Sequence, residues 1–95
     1  MKIQVDFLSL PKVTKIIGSK SIAFELSGHS IQDLVQEISD KYGQEIKQFL
    51  LDESGQLDTV FKVHLNKQQW IPRDHLDTSL QAGDQVTFMM LVGGG

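Results

Sequence analysis

Between Ser30 and Gly43 the apolar residues Ile31, Leu34, Val35, Ile38 and Tyr42 recur at helical spacing, with Gln32, Asp33, Gln36, Glu37 and Lys41 between them. That pattern predicts one amphipathic helix of about three turns, Ile31–Tyr42, with a single stripe to bury. Ser30 and Asp33 resemble a capping box with a shorter acid in the place of glutamate, and Gly43 stands where a left-handed residue closes a helix. On both sides of this helix the apolar period drops to two, so the stripe must be covered by a sheet.

The strands follow from that alternation. Residues 2–10 place Ile3, Val5 and Phe7 opposite Lys2, Gln4 and Asp6, and residues 21–26 place Ile22, Phe24 and Leu26 opposite Ser21, Ala23 and Glu25. Pro11 and the Gly18-Ser19 pair predict a chain reversal across residues 11–20, making the two strands a hairpin. A short helix or 3₁₀ turn is expected in residues 44–51, where Ile46, Phe49 and Leu50 keep helical spacing. Residues 60–66 alternate again, Asn66-Lys67 forms a turn, and residues 69–71 make a short strand stopped by Pro72. After the turn Ala82-Gly83-Asp84, residues 85–92 form the last strand. The order is β-β-α-β-(β)-β. It argues an α+β fold with a mixed four- or five-stranded sheet, the main helix on one face, and the strongly apolar first and last strands parallel at its centre.

Ninety-five residues, 40 % hydrophobic and 22 % charged, suffice for one small core and leave little room for a deep catalytic cavity. The absence of cysteine excludes disulfides, a thiol nucleophile and thiolate metal sites. A net charge of −3 with dispersed Lys and Arg gives no electrostatic footprint for nucleic acid. No apolar run marks a membrane span or a signal peptide, and the expected location is cytoplasmic. His29, His64 and His75 show no paired metal-ligand spacing, and no phosphate-cradling glycine motif occurs.

The last strand runs directly into Gly93, Gly94 and Gly95. At an average glycine usage of about 7 %, three in succession at a chain end arise by chance in roughly a few chains per ten thousand, so a use for them is worth seeking. Lacking Cβ atoms, they form a flexible tail that can thread a narrow tunnel and deliver a carboxylate to a partner's active site. Residues 1–92 then constitute the domain and residues 93–95 the tail.

Three features now combine: Leu76-Asp77-Thr78-Ser79-Leu80-Gln81-Ala82-Gly83-Asp84-Gln85-Val86, the strand Phe61-Lys62-Val63-His64-Leu65-Asn66, and the terminal glycines. Together they resemble the ubiquitin-like β-grasp sulfur carriers, meaning the small subunit of molybdopterin synthase and the sulfur carrier of thiamine biosynthesis. In length, and in its added residues 44–60, the chain is closer to the molybdopterin-synthase subunit. Two departures stand out. Asn66-Lys67 replaces the family's Asn-Gly, which predicts a different turn type there, and Gly93 replaces the small residue before the terminal pair.

The resemblance implies a carrier or small non-catalytic subunit that binds no cofactor itself. A partner similar to ubiquitin-activating enzymes would use ATP to adenylate Gly95, and a sulfur donor would convert the acyl adenylate to a thiocarboxylate. A second partner, similar to the molybdopterin-synthase large subunit, would receive the sulfur. Gly93 and Gly94 would thread the tail. Strand parity separates Met89 and Leu91 from Val86, Phe88, Met90 and Val92, so the helix covers only one of two apolar sets. Phe88, Met89, Leu91 and Val92 are the candidates for partner docking. Two rival readings stay open: a ubiquitin-like modifier joined through Gly95 to lysines of target proteins, and a β-grasp interaction module with an inert tail.

Overall fold

The computed structural model describes residues 1–90. Five strands, β1 (Lys2–Leu8), β2 (Ser21–Glu25), β3 (Phe61–Leu65), β4 (Gln69–Ile71) and β5 (Gln85–Met90), form one sheet in the order β2-β1-β5-β3-β4. Three helices accompany it: α1 (Pro11–Ile17), α2 (Ile31–Tyr42) and α3 (Gln44–Leu50), with a 3₁₀ turn at Arg73–His75. β1 and β5 pair in parallel at the centre, and the other pairings are antiparallel. This is the mixed α+β sheet that the alternation predicts, with five strands.

The parallel register explains the core. Val5 lies beside Val86 and Phe7 beside Phe88, the two phenyl rings stacked at 5.9 Å. Ile31, Leu34, Val35 and Ile38 of α2 are buried over this face, and Ile46 and Leu50 of α3 extend the cover. Each such side chain contributes about 1.5–3 kcal/mol by leaving water.

α2 spans the twelve residues that the stripe predicts. Its capping box is complete: Asp33 N–H donates to Ser30 Oγ at 3.1 Å, while Asp33 Oδ2 accepts from Ser30 N–H at 3.2 Å and His29 N–H at 3.0 Å. Glu37 accepts the next two backbone N–H groups, from Ser27 and Gly28, each at 2.8 Å. The loop is drawn so close that a Cβ at Gly28 would stand 2.6 Å from Cβ, Cγ and Oδ2 of Asp33. Gly28→Ala must therefore push Asp33 off its cap. The expected loss is about 1–3 kcal/mol, as for other overpacked sites, read as a lower urea midpoint with an unchanged slope.

The chain does reverse across residues 11–20, and β1 and β2 pair antiparallel as expected, but the connection is helix α1 rather than a turn. Pro11 is a helix-starting proline, fixing φ where its missing N–H costs nothing, and Gly18 takes φ 94° and donates to Thr14 O at 2.7 Å. The two residues read as turn formers are the start and stop of a helix that buries Val13. β1 ends at Leu8 rather than residue 10, since Ser9 takes φ 56° and redirects the chain.

The β3–β4 turn corrects a second expectation. Asn66 and Lys67 have φ 53° and 57°, and Gln68 N–H donates to Leu65 O at 3.1 Å. Two left-handed central residues are the signature of an Asn-Gly turn, here kept without glycine. Asn66 repays part of the strain by bonding to β5: its N–H reaches Gln85 O at 2.7 Å, and its Oδ1 accepts from Gln85 N–H at 2.8 Å.

Residues 52–58 form a polar loop organised by Asp52, whose carboxylate accepts from Ser54 N–H and Oγ, Gln56 N–H and Arg73. Arg73 also donates to Leu57 O. Ser54, Gln56 and Arg73, in that order, hold the Asp52 carboxyl well below its ordinary value of 3.8. A depressed carboxyl stabilises the fold fully above that ordinary value, and its contribution decays as the pH falls below it. Asp52→Asn should thus lower the urea midpoint at pH 7, and its deficit against the unmutated chain should shrink at pH 3.

Candidate functional site

The segment from Leu76 to Val86 positions the strand that leads to the tail. Leu76 and Leu80 are buried, and backbone bonds from Ile31 to Thr78, Gln32 to Leu76 and Leu80 to His29 fasten the segment to the start of α2. Thr78 Oγ1 donates to His75 O at 2.6 Å. Gly83 has φ 89°, which disfavours a side chain, and Asp84 Oδ2 accepts Gln81 N–H at 2.8 Å. Asp84 O then accepts Gln4 N–H and Gly83 N–H donates to Lys2 O, so the chain enters the sheet centre in register with β1. Leu76, Thr78, Leu80, Gly83 and Asp84 each have a mechanical part in aiming β5.

β5 is described to Met90. Leu91, Val92, Gly93, Gly94 and Gly95 lie outside the described residues. Around the last described turn of strand, Met89 stands beside Leu8 of β1 and opposite Lys62 of β3, and Met90 stands opposite Phe61. Leu8 is 53 % exposed and Val60, next to Phe61, is 42 % exposed. With Trp70 these are the large hydrophobic residues most open to water among the described residues. Lys12 lies over the Phe49 ring, which meets Phe61 edge-on. The root of the tail is therefore an apolar collar of Leu8, Val60 and Met89 with Lys12 and Lys62 at its border.

Of the residues expected to dock a partner, Met89 is half-buried on the sheet face opposite the helices. Phe88 is not available for that purpose. It is 1 % exposed and stacked on Phe7, because strand parity turns it toward α2. Sequence parity separated the two sets without saying which one the helix covers. Leu8, Val60 and Lys12 were missed altogether, since only the register of β1 and β3 against β5 brings Leu8 and the start of β3 to its end, and only the packing of α1 over Phe49 brings Lys12 near.

His64 stacks on Trp70 across the β3–β4 pair at 4.3 Å, while His29 lies in the loop before α2 and His75 ends the 3₁₀ turn. Among the described residues no group of three His, Asp or Glu side chains could hold a metal ion. An open groove of about 690 Å³ lies at the start of α2, lined in part by Asp33, Arg73, Asp74 and Asp77. Asp33 is engaged by the helix cap and Arg73 by the 52–58 loop. Those groups serve the fold. No described helix is long and apolar enough to cross a membrane.

Residues 12–95 match the ThiS family. The chain belongs to it. Solved structures agree in fold: Urm1 from Trypanosoma brucei superposes with a TM-score of 0.75 at 25 % identity, covering 99 % of this chain and 95 % of that one. The small archaeal modifier protein 1 of Methanosarcina acetivorans gives 0.78 at 20 % identity, covering 99 % and 96 %. A putative molybdopterin converting factor, subunit 1, from Pyrococcus furiosus gives 0.70 at 20 % identity, covering 97 % and 99 %. No curated protein sequence matches the chain significantly. The ThiS-family chain is thus a ubiquitin-like β-grasp protein of the sulfur-carrier family.

Proposed function

We propose that this protein is a sulfur carrier and that Gly95 is its reactive residue. The observation that carries the reading is a ThiS-family match extending through the terminal glycines, on a chain whose β5 is held at the sheet centre and leads toward them. A free carboxylate is a poor electrophile. Attack of the Gly95 carboxylate on the α-phosphorus of ATP, in a partner's active site, would release pyrophosphate and leave an acyl adenylate. A sulfur nucleophile would then displace AMP and leave the thiocarboxylate. The chain needs no thiol of its own for this, in keeping with its lack of cysteine.

The acceptor pathway we propose is molybdopterin assembly, with thiamine or another sulfur-containing metabolite as the alternative. Chain length and the residues between α2 and β3 support the first. The adenylating partner and a sulfur-accepting enzyme would dock on the collar formed by Leu8, Val60 and Met89, extended by Leu91 and Val92. Likeness in fold to a protein named a modifier supports a second reading, transfer of Gly95 to lysines. Both share the adenylate. Incubation with a cognate adenylating enzyme, ATP and sulfide separates them. A mass gain equal to exchanging one oxygen for one sulfur supports the carrier, whereas higher-mass conjugates on gels, without that gain, support the modifier.

A further inference from the structure

One transverse row of facing residues crosses all five strands on the open side of the sheet: Ser21, Asp6, Thr87, His64 and Trp70. Its middle is incomplete as a hydrogen-bonded unit. Thr87 is 6 % exposed, and its Oγ1 has no partner among the described residues, a deficit that typically costs about 1–3 kcal/mol. Next to it, the half-buried Asp6 carboxylate accepts from Ser21 Oγ, Gln4 Nε2 and Gln85 Nε2, yet forms no salt bridge among the described residues. Burial alone would raise its pKa. The three side-chain donors, with Lys67 acting at a distance, outweigh burial and hold it below the ordinary carboxylate value.

An ionised carboxylate without a bonded cation, beside an acceptor without a donor, is complementary to a group that carries positive charge and several N–H bonds. A guanidinium fits better than an ammonium, because its rigid planar fork can serve a carboxylate and a second acceptor together. The apolar flank suits such a side chain as well. Leu8 and Met89 stand one step along the strands from Asp6 and Thr87 on the same face, where methylene groups can lie against them. Met89, a neighbour of Thr87 on that face, is unbranched and can swing aside to admit it, while Gln85 stays bonded to Asp6.

We infer that the open sheet face seats an arginine of a protein partner, its guanidinium on Asp6 and Thr87 and its stem along Leu8 and Met89. The inference rests on the reading that a partner covers this face, but the contact needs no chemistry at Gly95. It would fix the orientation of the partner by a charge beside the apolar flank of Leu8 and Met89.

The test is an amide NMR titration of the full chain with N-acetyl-arginine methylamide, against the matching lysine and citrulline amides. Saturable shifts are expected at Asp6, Leu8, Thr87 and Met89 with the arginine probe. Binding should weaken about tenfold or more with citrulline, which keeps the shape and loses the charge. Asp6→Asn should abolish the shifts, and the near-isosteric Thr87→Val should reduce them while keeping a folded spectrum. Equal binding of lysine or citrulline overturns the assignment, as do shifts that fail to saturate or that persist in both variants. A failure here leaves the mass assay on Gly95 unaffected, so the two readings fall separately.

Discussion

Deleting Gly94 and Gly95 should abolish the ATP-dependent exchange of oxygen for sulfur while leaving thermal unfolding unchanged. The first half follows from chemistry. Without the pair, the new terminal carboxylate sits two residues nearer the domain and falls short of the adenylating centre by up to about 7 Å, at roughly 3.3–3.6 Å per extended residue. Near-attack chemistry requires reacting atoms within about 3–3.5 Å, so a shortfall of that size removes the reaction rather than slowing it modestly. The second half follows from the core, whose buried cluster is drawn from residues between Ile3 and Phe88. Mass spectrometry of the intact chain after incubation reads the first, and calorimetry the second. Sulfur exchange that survives the deletion would sink the carrier reading. An unchanged pathway phenotype as well would leave the inert-tail interaction module in its place.

How much of this was open to reading in the sequence varies by element, for physical reasons. α2 was legible to the residue because stripe, cap and closing glycine agree, although Gly43 closes it at φ 94° and ψ −171°, outside the left-handed helical region that its position suggested. α1 was not. Its seven residues give only two turns of periodicity, and Pro11 and Gly18 are as usual in turns as at helix ends. The family-like segment from Leu76 to Val86 was visible as a pattern, while its purpose, tying the start of α2 to the entry of β5, needed the backbone bonds. The row through Asp6 and Thr87 could not be seen at all. It joins positions up to 81 apart in sequence, from Asp6 to Thr87, through four strand registers, any of which could slip by one residue and reverse the face.

Adjacent residues of β5 should behave oppositely, and the contrast is the sharpest test of which face meets a partner. Phe88→Ala removes a ring that is 1 % exposed and stacked on Phe7 beneath α2. Its expected cost is about 3–5 kcal/mol, a large share of the 5–15 kcal/mol typical for a whole domain. The chain should lose most of its urea resistance, and any loss of sulfur exchange should follow the unfolded fraction. Met89→Asp leaves the core intact and changes strand propensity by no more than about 1 kcal/mol. It places a charge between Leu8 and Lys62, where a docking partner would have to desolvate it. Activation by the adenylating enzyme should then fall by about thirtyfold or more, the effect of losing a central anchor worth 2 kcal/mol or more. A stable Met89→Asp chain that is activated normally would move the docking surface away from this face, whatever the chemistry at Gly95. The arginine seat would go with it, since Leu8 and Met89 are its walls.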